Sequence, residues 1–275
     1  MVMSPLMDVK KASFSYNGKN NIFEDVSFSV EKGDVVCILG PNGSGKTTLI
    51  KCMNGLQRIN CGDILLGDRS IYSMSKTEKS RYIGYIPQGH QITFPFKSLD
   101  IVLMGRTPFI GAISSASKRD VQIAENAMEQ LGILHLANKP YTAISGGERQ
   151  MVFMARVLAQ GPKILILDEP TSHLDFGNQM KTLSVISALA KQGMAVIMSS
   201  HFPDHAFITS NKAAIMREKR MVSFGAPEHV VTEDNMKKAY GVPVKIVEIS
   251  KRKACVPMED STEISLPGIN ITENA

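Results

Sequence analysis

Apolar and polar residues alternate from Val9 to Val30, and Asn17-Gly18 separates the two halves of this stretch. A period of two is typical of strands that bury one face, and Asn-Gly is a common hairpin turn. The pattern therefore predicts an antiparallel β-hairpin or meander near the start of the chain. Residues Ala213 to Phe224 predict a second hairpin in the same way.

Continuous apolar runs take the place of alternation further along, which is typical of parallel strands buried on both faces. They are found at Val35–Leu39, Ile164–Leu167 and Met194–Met198. A further strand is predicted at Tyr82–Gln88, where Pro87 ends it. Segments whose apolar residues recur at helical spacing lie between these runs. This order of elements predicts an α/β fold with a mixed sheet core, preceded by an antiparallel β-subdomain.

The segment from Pro95 to Asn138 differs in character from the strands around it. Its apolar residues Val121, Ala124 and Met128 recur at helical spacing, and Gly132 follows as a stop signal. We therefore predict a helical insert in the α/β core.

Composition limits the class of protein. The chain has 275 residues, of which 43% are apolar, and its formal charge is +5, so a globular domain with a sizeable core is expected. The basic clusters Arg217–Arg220 and Lys251–Lys253 are short and lack aromatic residues, so we expect solvated turns and no nucleic-acid partner.

The spacing of the cysteines and the length of the apolar runs indicate the cellular compartment of the chain. Four cysteines form no C-x-x-C pair, which favours a reducing environment. No apolar run approaches the about 20 residues that span a bilayer. We therefore expect a cytosolic chain whose membrane role, if any, comes through a partner.

A glycine-rich loop lies between the first buried strand and a predicted helix closed by Gly55. Gly-x-x-x-x-Gly-Lys-Thr in this context predicts a phosphate-binding loop, in which backbone N–H groups surround the phosphates at a helix N-terminus. Lys46 can reach the β- and γ-phosphates, and the Thr47 hydroxyl can hold Mg²⁺. The loop reads Gly40-Pro41-Asn42-Gly43-Ser44-Gly45-Lys46-Thr47, with Thr48 behind it.

An acidic pair, Asp168-Glu169, emerges where the strand Ile164–Leu167 ends. Carboxyl ends of parallel strands meet at one edge of a sheet, so the pair should lie beside the phosphate loop. Asp168 can bind Mg²⁺, and Glu169 is placed to orient or deprotonate an attacking water. Gln88 and His201 also follow predicted strands, although His201 with Asp204 and His205 also allows a metal cluster.

Ser145 and Glu148 form an S-x-x-E capping box for a helix that runs to Gln160. Gly146 and Gly147 weaken the first turn of this helix by about 1 kcal/mol each relative to alanine. Close approach of a ligand would explain that cost, so an anion-binding helix N-terminus is favoured over a simple cap.

The order of these motifs resembles the ATP-binding subunit of ABC transporters over roughly residues 9 to 247. The resemblance implies the following roles: Walker A for Gly40–Thr48, the Q-loop for Gln88, the signature for Ser145-Gly146-Gly147-Glu148, Walker B with a catalytic glutamate for Asp168-Glu169, the D-loop for Ser172–Asp175, the switch histidine for His201, and the adenine-stacking aromatic for Tyr16. From the pattern alone, Tyr16 could equally fill the sheet face.

The resemblance implies a head-to-tail homodimer in which each ATP lies between Walker A of one copy and the signature of the other. Glu169 would be the base, His201 would contact the γ-phosphate, and Gln88 would link Mg²⁺ and the attacking water to the membrane partner. That partner would be a pair of permease subunits, which receive cargo from a periplasmic or lipoprotein binding protein. A peripheral location on the cytoplasmic face of the membrane follows, with docking around Phe94, Phe96 and Arg106.

A narrower similarity extends to importers for iron–siderophore complexes, haem and cobalamin, some relatives of which carry molybdate or tungstate. It is based on Met104–Pro108, Ser145–Gln150, Ala155–Gln160 and Glu169–Asp175. The chain departs from the family pattern at Ile144 and Glu148 of the signature, and at Phe202, where an aspartate often follows the switch histidine.

Three other classes compete with a transport ATPase. A soluble ABC ATPase of the iron–sulfur assembly type has the right size and is set aside only by the narrower similarity. A binding module without turnover is disfavoured by intact Lys46, Asp168, Glu169 and His201. A P-loop GTPase lacks support, since Asn138-Lys139 and Asn211-Lys212 are not followed by the aspartate of N-K-x-D.

We expect one ATP-binding domain over residues 1–249, with the helical subdomain at about 95–160. Residues 250–275 are polar and poor in large apolar side chains, so a weakly attached tail is expected.

Overall fold

The computed structural model of the chain describes residues 5–89, 93–110, 114–250 and 252–258. Its strands, in chain order, are β1 Met7–Phe14, β2 Phe23–Val30, β3 Val35–Leu39, β4 Cys61–Leu66, β5 Arg69–Ser70, β6 Ile83–Ile86, β7 Ile164–Leu167, β8 Ala195–Ser199, β9 Lys212–Arg217, β10 Arg220–Gly225, β11 Val244–Ile249 and β12 Arg252–Pro257.

The α-helices alternate with the strands of the larger sheet, as the sequence pattern predicts. They are α1 Lys46–Met53, α2 Lys76–Tyr82, α3 Ser98–Leu103, α4 Lys118–Gln130, α5 Gly146–Gln160, α6 Phe176–Lys191, α7 Asp204–Thr209, α8 Pro227–Val230 and α9 Glu233–Tyr240. Short 3₁₀ turns occur at Ile71–Ser73, Met104–Phe109, Leu134–Leu136 and Tyr141–Ala143.

The N-terminal sheet has the strand order β2-β1-β4-β5, and all its pairs are antiparallel. The hairpin predicted from alternation over residues 9–30 is therefore confirmed as β1 and β2. Buried and more exposed positions alternate along β2, because only one face of this sheet packs against the rest of the domain.

The central sheet has the order β10-β9-β3-β8-β7-β6. The neighbouring pairs from β9 to β6 are parallel, and β10 adds an antiparallel edge to β9, so the predicted mixed sheet is confirmed. Strands β3, β7 and β8 are buried at every position, as continuous apolar runs require. The parallel arrangement brings the ends of β3, β6, β7 and β8 to one edge.

The strands separate two apolar clusters. Val35, Cys37 and Leu39 of β3 face the cluster that contains α5 and α6, whereas Val36 and Ile38 face the cluster formed with α1 and the N-terminal sheet. Full burial of each large apolar side chain contributes about 1.5 to 3 kcal/mol, so β3 is stabilised from both sides.

Helices α3, α4 and α5 pack against one another and form the predicted helical subdomain. Gly105 lies directly against the backbone of α5, because a Cβ at this position would be 2.0 Å from the carbonyl oxygen of Arg156. Arg106 donates to the Asp120 carboxylate at 3.0 Å and to the Ala159 carbonyl at 2.8 Å. These contacts inside the subdomain leave Arg106 poorly suited to the docking role predicted for it.

Strands β11 and β12 form an antiparallel hairpin after α9. The predicted boundary at residue 250 falls between the two strands, so residues 252–257 belong to a paired element of the domain; residues 259–275 lie outside the described residues. Within the described ranges, no helix combines the length and the apolar character needed to cross a bilayer.

Candidate active site

The glycine-rich loop connects β3 to α1 and depends on backbone conformations that favour glycine. Gly40, Gly43 and Gly45 have φ angles of +146°, +77° and +97°. At Gly40 a side chain is also excluded by space, because a Cβ would lie 2.2 Å from the Met216 carbonyl oxygen. The glycines of the motif are thus required by the fold of the loop itself.

Helix α1 begins at Lys46, and its N-cap residue Gly45 offers no side chain to its first amides. The exposed end of a helix dipole with free N–H groups is suited to bind an anion. A cavity of about 450 Å³ opens there. It is lined by Ile22, Asn42, Gly43, Ser44, Gly45, Lys46, Thr47, Thr48, Gln88, Glu169 and His201. Most of the predicted site residues are therefore brought together around one cavity.

Lys46 is buried, and its ammonium group is held against the loop. Its Nζ donates to the carbonyl oxygens of Gly40 at 2.6 Å and Pro41 at 2.9 Å. Burial lowers the pKa of the Lys46 ammonium, while the negative charges of Glu169 and Asp168 act to raise it. The lysine thus supplies a positive charge at the position where phosphate oxygens would enter.

Asp168 is almost fully buried at the end of β7. Its Oδ1 accepts from the hydroxyl of Thr47 at 3.1 Å and from the hydroxyl of Ser199 at 2.8 Å. A hydroxyl and a carboxylate from two elements, this close together, are the hard oxygen ligands that Mg²⁺ prefers. The predicted pair Thr47 and Asp168 therefore fits the ion. Gln88 lines the same cavity, and its role as a further Mg²⁺ ligand stays a prediction.

Unlike Asp168, Glu169 lines the cavity, where it contacts other polar side chains. Its carboxylate accepts from the amide Nε2 of Gln88 at 2.6 Å and contacts Nε2 of His201. Its φ of +52° is rare for a residue with a side chain and costs on the order of 1 kcal/mol or more. The Ser199 hydroxyl accepts the Glu169 N–H at 2.9 Å, which holds this strained backbone.

This geometry can activate a water molecule. A carboxylate in the cavity, linked to an amide and to an imidazole, can accept a proton from a nucleophile. Lys46 and the first amides of α1 can stabilise charge that develops on phosphate oxygens. The arrangement therefore supports hydrolysis of a nucleoside triphosphate.

The signature residues lie outside this cavity. Ser145 caps α5 with Glu148 as predicted: the Ser145 hydroxyl accepts from the Glu148 N–H at 3.3 Å, and the Glu148 carboxylate accepts from the Ser145 N–H at 2.8 Å. These bonds hold the pKa of Glu148 below its usual value. Within one chain, Ser145 to Glu148 therefore do not contribute to the cavity at the phosphate loop.

The two glycines of the signature differ. A Cβ on Gly146 would meet nothing within 4 Å, but one on Gly147 would lie 2.2 Å from Oδ1 of Asn178. Asp175, the N-cap of α6, accepts from the backbone N–H and the side-chain amide of Asn178, each at 2.8 Å, and these bonds lower the pKa of Asp175. Gly147 thus packs closely against α6, whereas Gly146 has open space beside it, and the part of both glycines in nucleotide binding stays a prediction.

Tyr16 is 62% exposed beyond the end of β1, and its ring packs edge-on against Phe14 with centroids 4.8 Å apart. It does not line the cavity around the phosphate loop. Its open ring face leaves the predicted stacking on adenine possible, and that role stays a prediction.

The alternative metal cluster at His201, Asp204 and His205 finds no support. Nδ1 of His205 is hydrogen-bonded to the Ser200 hydroxyl at 2.8 Å, and Asp204 accepts from the Cys255 N–H at 2.7 Å. No group of three or more His, Cys, Asp or Glu side chains suited to a metal ion occurs in the part of the chain that the structure describes.

Ser199 and Asn178 were not assigned roles from the sequence. Ser199 bridges Asp168 and Glu169, and Asn178 bridges Asp175 and Gly147. Small polar residues at a strand end or in the first turn of a helix are common, so nothing in their local sequence marks them. The position of Ser199 two residues before His201 is the only available signal.

The fold and this cavity define a P-loop nucleotide hydrolase. A family model described as ABC transporter matches residues 23–172, more than half of the chain. The chain therefore belongs to the ABC transporter family, as one of the ATP-binding subunits that hydrolyse ATP.

Relatives extend the similarity over most of the chain. An ABC transporter ATP-binding protein of Haemophilus influenzae is 39% identical over 86% of this chain and 89% of its own length. The molybdate import ATP-binding protein MolC of the same organism is 34% identical over 88% of this chain and 90% of its own length. The hemin import ATP-binding protein HmuV of Rhodococcus jostii is 33% identical over 84% of this chain and 78% of its own length.

A solved structure, described as an inward-facing conformation of a metal-chelate type ABC transporter, matches with a TM-score of 0.82 and 31% identity. The match covers 93% of this chain and 98% of that chain. The fold expected from the sequence is thereby confirmed, together with the family.

Replacement of Ser199 by alanine should reduce ATP hydrolysis by about 10- to 100-fold. The variant removes a donor to the buried Asp168 carboxylate and an acceptor for the strained Glu169 amide, and hydrogen bonds to charged groups contribute about 1.5 to 3 kcal/mol. Steady-state ATPase assays measure the effect. Ser98→Ala is the control, since it removes a buried hydroxyl that donates to the Lys139 carbonyl. A Ser199→Ala rate within twofold of wild type contradicts the positioning role.

Proposed function

We propose that this chain is the ATP-hydrolysing subunit of an importer for a metal chelate, such as an iron–siderophore complex, haem or cobalamin. The match to a metal-chelate type ABC transporter over 98% of that chain carries the proposal. The similarity to a hemin import protein supports it. In this role the chain lies on the cytoplasmic face of the membrane and acts on two separate permease subunits.

In the proposed reaction Glu169 accepts a proton from the water that attacks the γ-phosphate of ATP. Gln88 and His201 support this role because both contact the Glu169 carboxylate and fix its direction. Lys46 and the first amides of α1 hold the β- and γ-phosphates. Thr47 and Asp168 would hold Mg²⁺, which neutralises phosphate charge when bound.

We further propose that two copies of the chain form a head-to-tail homodimer with two shared ATP sites. Ser145 and Gly146 lie outside the cavity of their own chain, although the open space at Gly146 can admit a ligand. In the dimer, the N-terminus of α5 from one copy would face the γ-phosphate bound by the other. Asp175 would help to position the signature through Asn178, which packs against Gly147 of the same chain.

Phe94 and Phe96 are proposed to contact the permease. Their side chains are 67% and 43% exposed, and their ring centroids lie 6.0 Å apart, so together they offer an apolar patch at the entrance to the helical subdomain. Paired exposed aromatics are typical of protein interfaces. Arg106 is not part of this patch, because its guanidinium group is engaged by Asp120 and Ala159.

An importer for molybdate or tungstate is the second candidate. It is favoured by one observation, the 34% identity with a molybdate import protein over 90% of that protein's length. The ATPase subunit would use the same residues for either cargo. Binding of candidate ligands by the partner substrate-binding protein separates the two: binding of molybdate and no metal chelate would overturn the first proposal.

Glu169→Gln should bind ATP but hydrolyse it at least about 100-fold more slowly, since an amide oxygen cannot accept the proton from water. Binding is measured by titration with nucleotide and turnover by phosphate release. The control Glu78→Gln changes a half-exposed glutamate in the capping box of α2 and should leave turnover unchanged. Turnover of Glu169→Gln close to that of wild type removes Glu169 from the role of base.

Mixing two inactive variants tests the shared site. A Glu169→Gln chain paired with a Ser145→Arg chain keeps one complete site, so random mixing should recover up to about a quarter of wild-type ATPase activity. Glu169→Gln mixed with Lys46→Ala is the matched control, because both changes affect the same half of a site and every mixed dimer stays inactive. Equal activity in the two mixtures argues against head-to-tail pairing.

Capture from solubilised membranes tests the permease contact. The full chain with an affinity tag should retain a polytopic membrane protein from its own organism. Phe94→Ser with Phe96→Ser should retain at least about tenfold less, since apolar anchors dominate binding. Val222→Ser, which changes an exposed apolar residue on β10, is the control. Retention of a soluble complex without any permease favours the iron–sulfur assembly class.

A further inference from the structure

A hydrogen bond connects the phosphate loop to helix α9 in the C-terminal part of the domain. The hydroxyl oxygen of Tyr240, the last residue of α9, accepts the backbone N–H of Gly40 at 2.9 Å. The two residues are 200 positions apart in the sequence, and Gly40 is the first residue of the loop. Burial raises the pKa of the Tyr240 phenol to about 12, so the phenol stays neutral across the physiological range.

Both polar backbone groups of Gly40 are engaged. Its N–H is bound by Tyr240, and its carbonyl accepts from Nζ of Lys46 at 2.6 Å. The φ of +146° and the nearby Met216 carbonyl leave this peptide little freedom to rotate. A change at the Gly40 N–H therefore acts directly on the start of the loop and on the lysine that faces the phosphates.

Tyr240 is itself firmly placed. Met236 and Ala239 of α9 are buried in the apolar cluster that also contains Leu39 of β3. Gly241 ends the helix in the left-handed region, with its N–H donated to the Lys237 carbonyl. At the other end of α9, Glu233 accepts from the Ile246 N–H at 3.2 Å, which connects the helix to β11. The tyrosine is thus held by packing and by both ends of its helix.

We propose that Tyr240 is a positioning residue for ATP binding, and that α9 is a functional part of the nucleotide site. Tyr240 holds the Gly40 peptide in the orientation that places the loop and Lys46 for the triphosphate. Loss of this hydrogen bond would alter nucleotide affinity alone, whatever the cargo or the permease.

Tyr240→Phe tests the proposal with the smallest possible change, because it deletes the hydroxyl and keeps the ring that packs in the core. The Gly40 N–H then loses its partner, and the loop should bind nucleotide less well. We expect the KM for ATP and the Kd for ATP to rise by about 5- to 100-fold. The kcat should change by less than about threefold, since Tyr240 makes no contact with Glu169 or His201.

Tyr72→Phe is the matched control. The Tyr72 hydroxyl also accepts a backbone N–H, that of Ile59 at 3.3 Å, but Tyr72 lies in the 3₁₀ turn Ile71–Ser73 beside the N-terminal sheet. Both variants lose the same atom and the same kind of bond. If the Tyr240 bond were merely structural, both would lower the Tm and neither would change the KM for ATP.

The rise in Tm on adding ATP gives a second measurement that stays informative if both variants are less stable. Ligand binding stabilises the folded state in proportion to the logarithm of ligand concentration over Kd. At one ATP concentration, Tyr240→Phe should therefore show a smaller rise than Tyr72→Phe and wild type. A KM within twofold of wild type together with an equal rise in Tm, or equal KM changes in both variants, would overturn the proposal.

Discussion

The buried carboxylate of Asp168 is the constraint around which the nucleotide site is built. A charge that is removed from water must be matched by hydrogen bonds, and Asp168 obtains them from Thr47 of α1 and Ser199 of β8. These bonds fix the separation of the phosphate loop, the end of β7 and the end of β8. The backbone N–H of Glu169 is held by the same Ser199 hydroxyl that donates to Asp168, so the position of Glu169 depends on the buried carboxylate.

The sequence predicted the parts of this site that are encoded locally. The loop from Gly40 to Thr48 and the acidic pair belong to this site, whereas the capping box at Ser145 lies outside the cavity; each combines specific residue types at a fixed spacing. The edge of a parallel sheet then brings Gln88, Glu169 and His201 together, because strand ends meet there whatever lies between them. Fold class and most of the site were therefore predictable without coordinates.

Contacts between distant segments were not predictable in this way. Ser199, Asn178 and Tyr240 are ordinary residues in ordinary local sequence, and their roles exist only because another element lies opposite them. The hydrogen bonds of Arg106 to Asp120 and Ala159 inside the helical subdomain could not be inferred from its local sequence either. The close packing of Gly147 against the side chain of Asn178 likewise arises from a contact between distant segments.

The two apolar clusters on opposite faces of the central sheet share the same strands. Successive residues of β3 belong to one cluster and then to the other, so melting of either cluster exposes half of the side chains of a strand that the other needs. Loss of one cluster would therefore weaken the packing of the other, and we expect the two faces of the sheet to be coupled in unfolding. Nucleotide bound at the end of β3 would then stabilise both faces of the sheet, including regions that never approach the nucleotide.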